Sequence, residues 1–158
     1  MRIVQAVSVL LAVEPTWSVD WAWGLPLIVL TVLFHVLGIV VIGKRAARAY
    51  SHRIPWLNPT ALFVVILGST TLSVTILHGI EAVLWAAAYR ILGALPDGKS
   101  AMLYSLNAIT SYGHTSLNLD DHWHLMGALE ALNGWLLFGL TTAFLFHMIQ
   151  KLLVAESI

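Results

Sequence analysis

The sequence has no cysteine and very little charge: eight basic and eight acidic side chains among 158 residues. The missing cysteine excludes disulfides, thiolate nucleophiles and thiolate metal sites. The balanced charge leaves no net field to attract nucleic acid, and no nucleic-acid partner is expected. Charged residues make up 10% of the chain and hydrophobic ones 59%, against about 25% and 45–50% in soluble domains. A water-soluble fold of this composition would present large apolar patches to solvent. A lipid bilayer removes that conflict by acting as the solvent, so an all-α membrane protein is expected. No arginine-rich span is present, which speaks against voltage sensing through a charged helix. No H-E-x-x-H motif or dense histidine box is present either.

What the sequence does have is long apolar runs. Crossing the hydrocarbon layer takes about 20 apolar residues. Residues 25–42 form the first such run, with His35 as their one titratable side chain. The second runs from about 60 to 92 and contains Glu81, and the third from about 125 to 149 and contains Glu130. Backbone groups in lipid must be paired within the segment, so all three are expected to be helices. The short apolar stretch 1–13 ends at Glu14-Pro15 and reads as an interfacial or partly inserted helix, with a cleaved signal peptide as the alternative.

Loop charge sets the expected orientation. Lys44, Arg45, Arg48 and Arg53 follow the first span with no acid among them, and Lys151 follows the third. Both ends belong on the cytoplasmic side by the positive-inside rule. The N-terminus is then outside, the C-terminus cytoplasmic, and the plasma (inner) membrane the expected location. Trp17, Trp21, Trp23 and Trp123 fit the outer interface and Trp56 the inner one.

The outer connection between spans two and three has its own pattern. Pro96-Asp97-Gly98-Lys99 is a turn, and Asp97 or Ser100 can cap a helix beginning there. Residues 101–109 are apolar and helix-compatible but too short to span. Thr110-Ser111-Tyr112-Gly113-His114-Thr115-Ser116 is small, polar and built around one glycine. A short apolar helix followed by polar backbone between two full spans is the pattern of a re-entrant loop; an amphipathic helix lying on the outer leaflet is the alternative. Non-helical backbone at membrane depth persists only when it is buried in protein or lines a water-filled cavity.

Potassium-channel pore loops read approximately S-[LV]-x-T-x-T-T-[VL]-G-Y-G-D, and residues 105–116 align with that pattern without a gap. Ser105, Leu106, Thr110 and Gly113 match, and Ser111 stands for the second threonine. Residues 129–140, from Leu129-Glu130-Ala131 to Phe138-Gly139-Leu140, also look like the inner helix of bacterial two-span ion-channel domains. Residues 60–150 as a whole therefore resemble the pore domain of the potassium-channel superfamily. The resemblance implies a homotetramer that conducts monovalent cations, potassium or sodium, with no cofactor, no enzymatic activity and no resident metal. It divides the chain into 1–59 (N-terminal segment, an extra peripheral helix, basic loop), 60–153 (outer helix, pore helix, filter, inner helix) and a tail, 154–158.

The resemblance also assigns residues. Thr110, Ser111, Tyr112, Gly113, His114 and Thr115 take the filter positions, where carbonyl and hydroxyl oxygens replace ion hydration. Asn107 and Ser116 support the filter, Asp120 and Asp121 flank the outer mouth, and Gly134 stands near the inner-helix hinge. The departures lie at the outer end: His114, Thr115 and Ser116 stand where the family has Tyr-Gly-Asp. A β-branched Thr115 resists the left-handed φ that glycine supplies there, so potassium selectivity is not implied. His114 at the mouth is expected to make the current fall in outside acid. Glu81 and Glu130 are expected to face protein, accepting from pore-helix groups, Arg90 or Lys99. Asn133, Thr141 and Thr142 are candidates for polar lining or helix–helix hydrogen bonds. His35, His78 and His147 read as single histidines in separate spans, and His122-x-His124 is the one close pair. The alternatives in function are a non-conducting channel-like subunit or scaffold and, less favoured, a histidine-dependent membrane metalloprotein.

Overall fold

The computed structural model describes residues 15–52, 58–113 and 117–156. Among the described residues every regular element is helical. The order is α1 (Pro15–Ser51), α2 (Pro59–Ile91), α3 (Gly98–Ile109), a 3₁₀ turn (Asp121–Trp123) and α4 (His124–Glu156). Three of these, α1, α2 and α4, are long and apolar enough to cross a membrane. The stretch 1–13, Arg53, Trp56 and the positions His114, Thr115 and Ser116 lie outside the described residues, as does the side chain of Asp121.

The first helix is longer than its apolar run. At 37 residues it extends about 55 Å, well beyond the roughly 30 Å of a hydrocarbon layer. Helix α2 opens on a cap: Asn58 Oδ1 accepts from the Ala61 amide at 2.7 Å, and Pro59 takes the first helical position, where its missing N–H costs no hydrogen bond. Its other end closes with Gly93 at φ +70. The Gly93 amide donates to the Arg90 carbonyl at 3.3 Å and the Ala94 amide to the Tyr89 carbonyl at 2.9 Å. Those paired bonds around a left-handed residue are a Schellman ending, and glycine adopts it without steric strain.

Helix α1 is an integral part of the bundle. It packs against both α2 and α4, and its inward side chains are fully buried polar groups as well as apolar ones. Asp20 is buried beside the Leu125 amide, one of the unpaired donors at the start of α4. Thr31 accepts from Asn133 Nδ2 at 2.9 Å, and His35 reaches Glu81 on α2. Gly38 admits Leu77: a Cβ there would stand 2.6 Å from Leu77 Cδ2. At the far end Ala46, Leu62, Ile66, Met148 and Leu152 close the bundle with one residue from α1 and two each from α2 and α4.

The short helix α3 lies along this bundle. Its first turn packs beside the end of α2, with Ala101 in one cluster with Trp85, Tyr89, Ala94 and Leu95. Its last residue, Ile109, is buried against Ala82 and Leu137. Leu137 lies thirteen residues into α4, about 20 Å along its axis. The chain then comes back: Leu119 joins the Ala94–Leu95 cluster, and the Asp120 amide donates to the Ala94 carbonyl at 3.4 Å.

Candidate functional site

Two groups of buried polar residues and one exposed tip are the places where this fold holds chemistry. The tip is the end of α3. Thr110 caps the helix, and Ser111 follows at φ +54 with Gly113 at φ +94. The Ser111 amide donates to the Ala108 carbonyl and the Tyr112 amide to the Asn107 carbonyl, both at 2.9 Å. This is the same Schellman ending as at Gly93, built here on a serine, which carries a Cβ into left-handed backbone at a cost of about 1–2 kcal/mol. The Ser111 hydroxyl accepts from Trp135 Nε1 at 3.0 Å. Thr110, Ser111, Tyr112 and Gly113 are all exposed, Tyr112 at 82%.

Asn107, assigned to supporting the filter, takes part in this turn through its backbone carbonyl, which accepts from the Tyr112 amide. Gly134, assigned to a hinge, lies in unbroken helix. There it lets the Ile109 carbonyl against the α4 backbone, in space that a Cβ would occupy. The tip of α3 is thereby fixed to α4. Asp120, of the two mouth aspartates, is exposed.

The first buried group anchors α3 at its midpoint. The Ser105 hydroxyl lies 2.8 Å from the Ala82 carbonyl and against Glu130, its one hydrogen shared between the two acceptors, and the Tyr89 hydroxyl donates to Glu130 Oε2 at 2.6 Å. Glu130, Ser105 and Tyr89 are all buried. The expectation that Glu130 accepts from a group on the short helix holds. A carboxylate at this depth is costly unless partnered, and here two hydroxyls from two other helices partner it.

The second buried group departs from the expectation. Glu81 accepts neither from Arg90, which donates to the Leu95 carbonyl at 2.6 Å, nor from α3. It meets two histidines. His35 Nδ1 lies 2.8 Å from Glu81 Oε1, and His78 Nδ1 lies 3.1 Å from Glu81 Oε2. On the far side of both rings stands the Thr141 hydroxyl, 3.1 Å from His35 Nε2 and 3.0 Å from His78 Nε2. The Phe138 ring covers His78 at 4.6 Å between centroids. His35 and His78 are thus not isolated: α1, α2 and α4 bring them onto one carboxylate. One signal was visible, since His78 and Glu81 are one helical turn apart and share a face; the partner 46 residues away was not.

Thr141 and Asn133 make helix–helix hydrogen bonds, and Thr142 returns its hydroxyl to its own backbone at Phe138, 2.8 Å away. His124 Nε2 lies 3.0 Å from the Leu119 carbonyl, beside the returning chain. Comparison of the chain with family models, with curated proteins and with solved structures finds no match.

Proposed function

We propose that the chain is the subunit of a homotetrameric, channel-like pore for monovalent cations, set in the plasma membrane with its N-terminus outside and its C-terminus in the cytoplasm. The observation that carries this reading is the course of α3. It starts at one end of a bundle of spanning-length helices, stops about a third of the way down α4 at Gly134, and turns through Ser111, Tyr112 and Gly113 before the chain goes back to that same end. In a membrane this is a re-entrant loop. Its exposed backbone needs other protein or water around it. Four copies about an axis supply both, with the negative ends of four α3 dipoles directed toward a cation. The face of α4 beside the tip carries the exposed apolar residues Leu132, Trp135 and Leu136, which neighbouring copies and lipid would cover.

Permeation then follows from oxygens at residues 110–115 standing in for the ion's hydration. The altered outer positions His114 and Thr115 point to a pore of low selectivity. One observation favours the second reading, a non-conducting channel-like subunit: the Ser111 hydroxyl is engaged by Trp135. Flux from proteoliposomes separates the two. Potassium and sodium both pass, larger cations do not, and Gly113→Ala, which puts a side chain at φ +94, lowers the flux. Equal flux for the two proteins, or none from either, rejects conduction; cross-linking that stops at a monomer rejects the tetramer.

A further inference from the structure

We propose that His35, His78 and Glu81 form a binding site for a divalent transition-metal ion of the zinc type inside the helix bundle. One ligand atom from each of the three residues lies within 4.8 Å of the others. Two imidazoles and one carboxylate are a ligand set that zinc takes, with a fourth position left for water or another ligand. Three different faces are involved: His35 comes from α1, His78 and Glu81 from α2, and the Thr141 hydroxyl stands behind both rings from α4.

The hydrogen inventory of this ring argues for a cation. The four side chains make four close contacts: Glu81 with each Nδ1 and Thr141 with each Nε2. Two neutral imidazoles, one hydroxyl and an ionised carboxylate supply three hydrogens, so one contact sets lone pair against lone pair. The structure shows which contact fails. His78 Nδ1 and Glu81 Oε2 are 3.1 Å apart, yet neither has a hydrogen-bond partner, and Glu81 is fully buried. Buried acceptors left unmatched are unfavourable; a cation shared by both Nδ1 atoms and the carboxylate removes the mismatch, as does one added proton on an imidazole, and a cobalt spectrum separates the two.

Thr141 fits the same arrangement. With both Nδ1 lone pairs on the metal, each Nε2 carries hydrogen, and a hydroxyl oxygen can accept from both. Metal-bound histidines usually hold their second N–H in this way. Charge agrees as well: one carboxylate offsets half of a divalent ion, and two polarisable imidazoles serve better than further oxygens for a zinc-type ion. The site does not depend on the pore reading, because all of its atoms belong to one protomer.

The test is metal binding to the whole chain in detergent. After equilibration with zinc and dialysis, wild type retains about one zinc per chain, and substituted cobalt gives the intense visible bands of a four-coordinate nitrogen–oxygen site. Zinc raises the Tm of wild type and leaves that of Glu81→Gln unchanged. Thr141→Val weakens zinc about 10–100-fold, and His122→Gln, in the other close histidine pair, retains it. No retained metal, a six-coordinate cobalt spectrum, or equal retention by Glu81→Gln overturns the site. The cobalt spectrum of wild type decides even if a variant fails to fold, and none of these results depends on ion flux.

Discussion

Glu130 and Glu81 are both fully buried, each within an apolar helix, and each tied to two other side chains. Their company differs. Glu130 is met by two hydroxyls: Tyr89 gives it a whole hydrogen, and Ser105 shares one between it and the Ala82 carbonyl. Glu81 is met by two imidazole nitrogens that neutral rings cannot both supply with hydrogen while also satisfying Thr141. The first arrangement is a clamp: it holds α3 against α2 and α4 and offers nothing to a metal that an oxygen ligand in water would not. The second has lone pairs to give. One residue type, equally costly in the membrane, thus serves two ends, and the partners decide which.

The largest expected effect comes from removing the clamp. Glu130→Ala leaves the Tyr89 hydroxyl buried without its acceptor, at about 1–3 kcal/mol, and opens a cavity at about 1–3 kcal/mol more, while the Ser105 hydroxyl keeps the Ala82 carbonyl. A loss of about 2–6 kcal/mol is expected, measured by unfolding in detergent. The isosteric change on the other side is expected to cost far less. In Glu81→Gln the amide oxygen accepts from His35 and the amide N–H₂ donates to His78, giving all four contacts of the ring a hydrogen. Metal-free stability is therefore expected to change by no more than about 1 kcal/mol. Equal losses in the two variants would erase the distinction between clamp and site.

The clamp region is fixed again at the tip of α3. Gly134→Ala drives a Cβ into the Ile109 carbonyl. Since backbone rather than a flexible side chain must move, about 1–3 kcal/mol is lost, and flux from proteoliposomes falls with it. Gly139→Ala on the same helix meets nothing within 4 Å, and it is neutral or gains up to about 1 kcal/mol of helix propensity. Matched losses at the two glycines would show that α4 needs flexibility at both positions and that close packing at Gly134 is not the cause.

How much of this could be read from the residues depends on the range of each interaction. The three spans and the short helix were legible because hydropathy and turn chemistry are local. The second and third spans start at Pro59 and His124, within a residue of the expectation. The first is longer than expected: the apolar run stops at Ile42, whereas the helix continues through Lys44 and Arg45 to Ser51, residues that leave lipid without leaving helical geometry. The contact of Glu130 with the short helix was legible because sidedness puts both at the same end of the bundle. The histidine cluster was not, because nothing in the spacing of His35 and Glu81 fixes how α1 and α2 rotate against each other. Asp20 was hidden for a related reason: among three tryptophans it reads as interface, and only the packing of α1 on α4 brings it to the Leu125 amide.

The smallest effect lies at the exposed start of α3, where pH separates a charged cap from a neutral one. Asp97 Oδ1 accepts from the Ser100 amide at 2.9 Å and Oδ2 from the Ser100 hydroxyl at 2.7 Å. These bonds, the hydroxyl's first, hold the carboxyl below its ordinary range. A lowered carboxylate pKa stabilises fully above the unfolded value, near pH 4, and the contribution is lost as pH falls through the folded value. Amide hydrogen exchange at Ser100 and Ala101, corrected for intrinsic rates, should therefore show constant protection from pH 7 down to about 5 and reduced protection below about 4. Asparagine caps a helix without charge, so Asp97→Asn should hold its protection across the same range. Because the cap is exposed and stands apart from Glu130 and Gly134, its loss should fray the first turn of α3 while the midpoint and tip stay in place. Should the whole helix lose protection together, the three attachments act as one unit and the clamp extends to the surface.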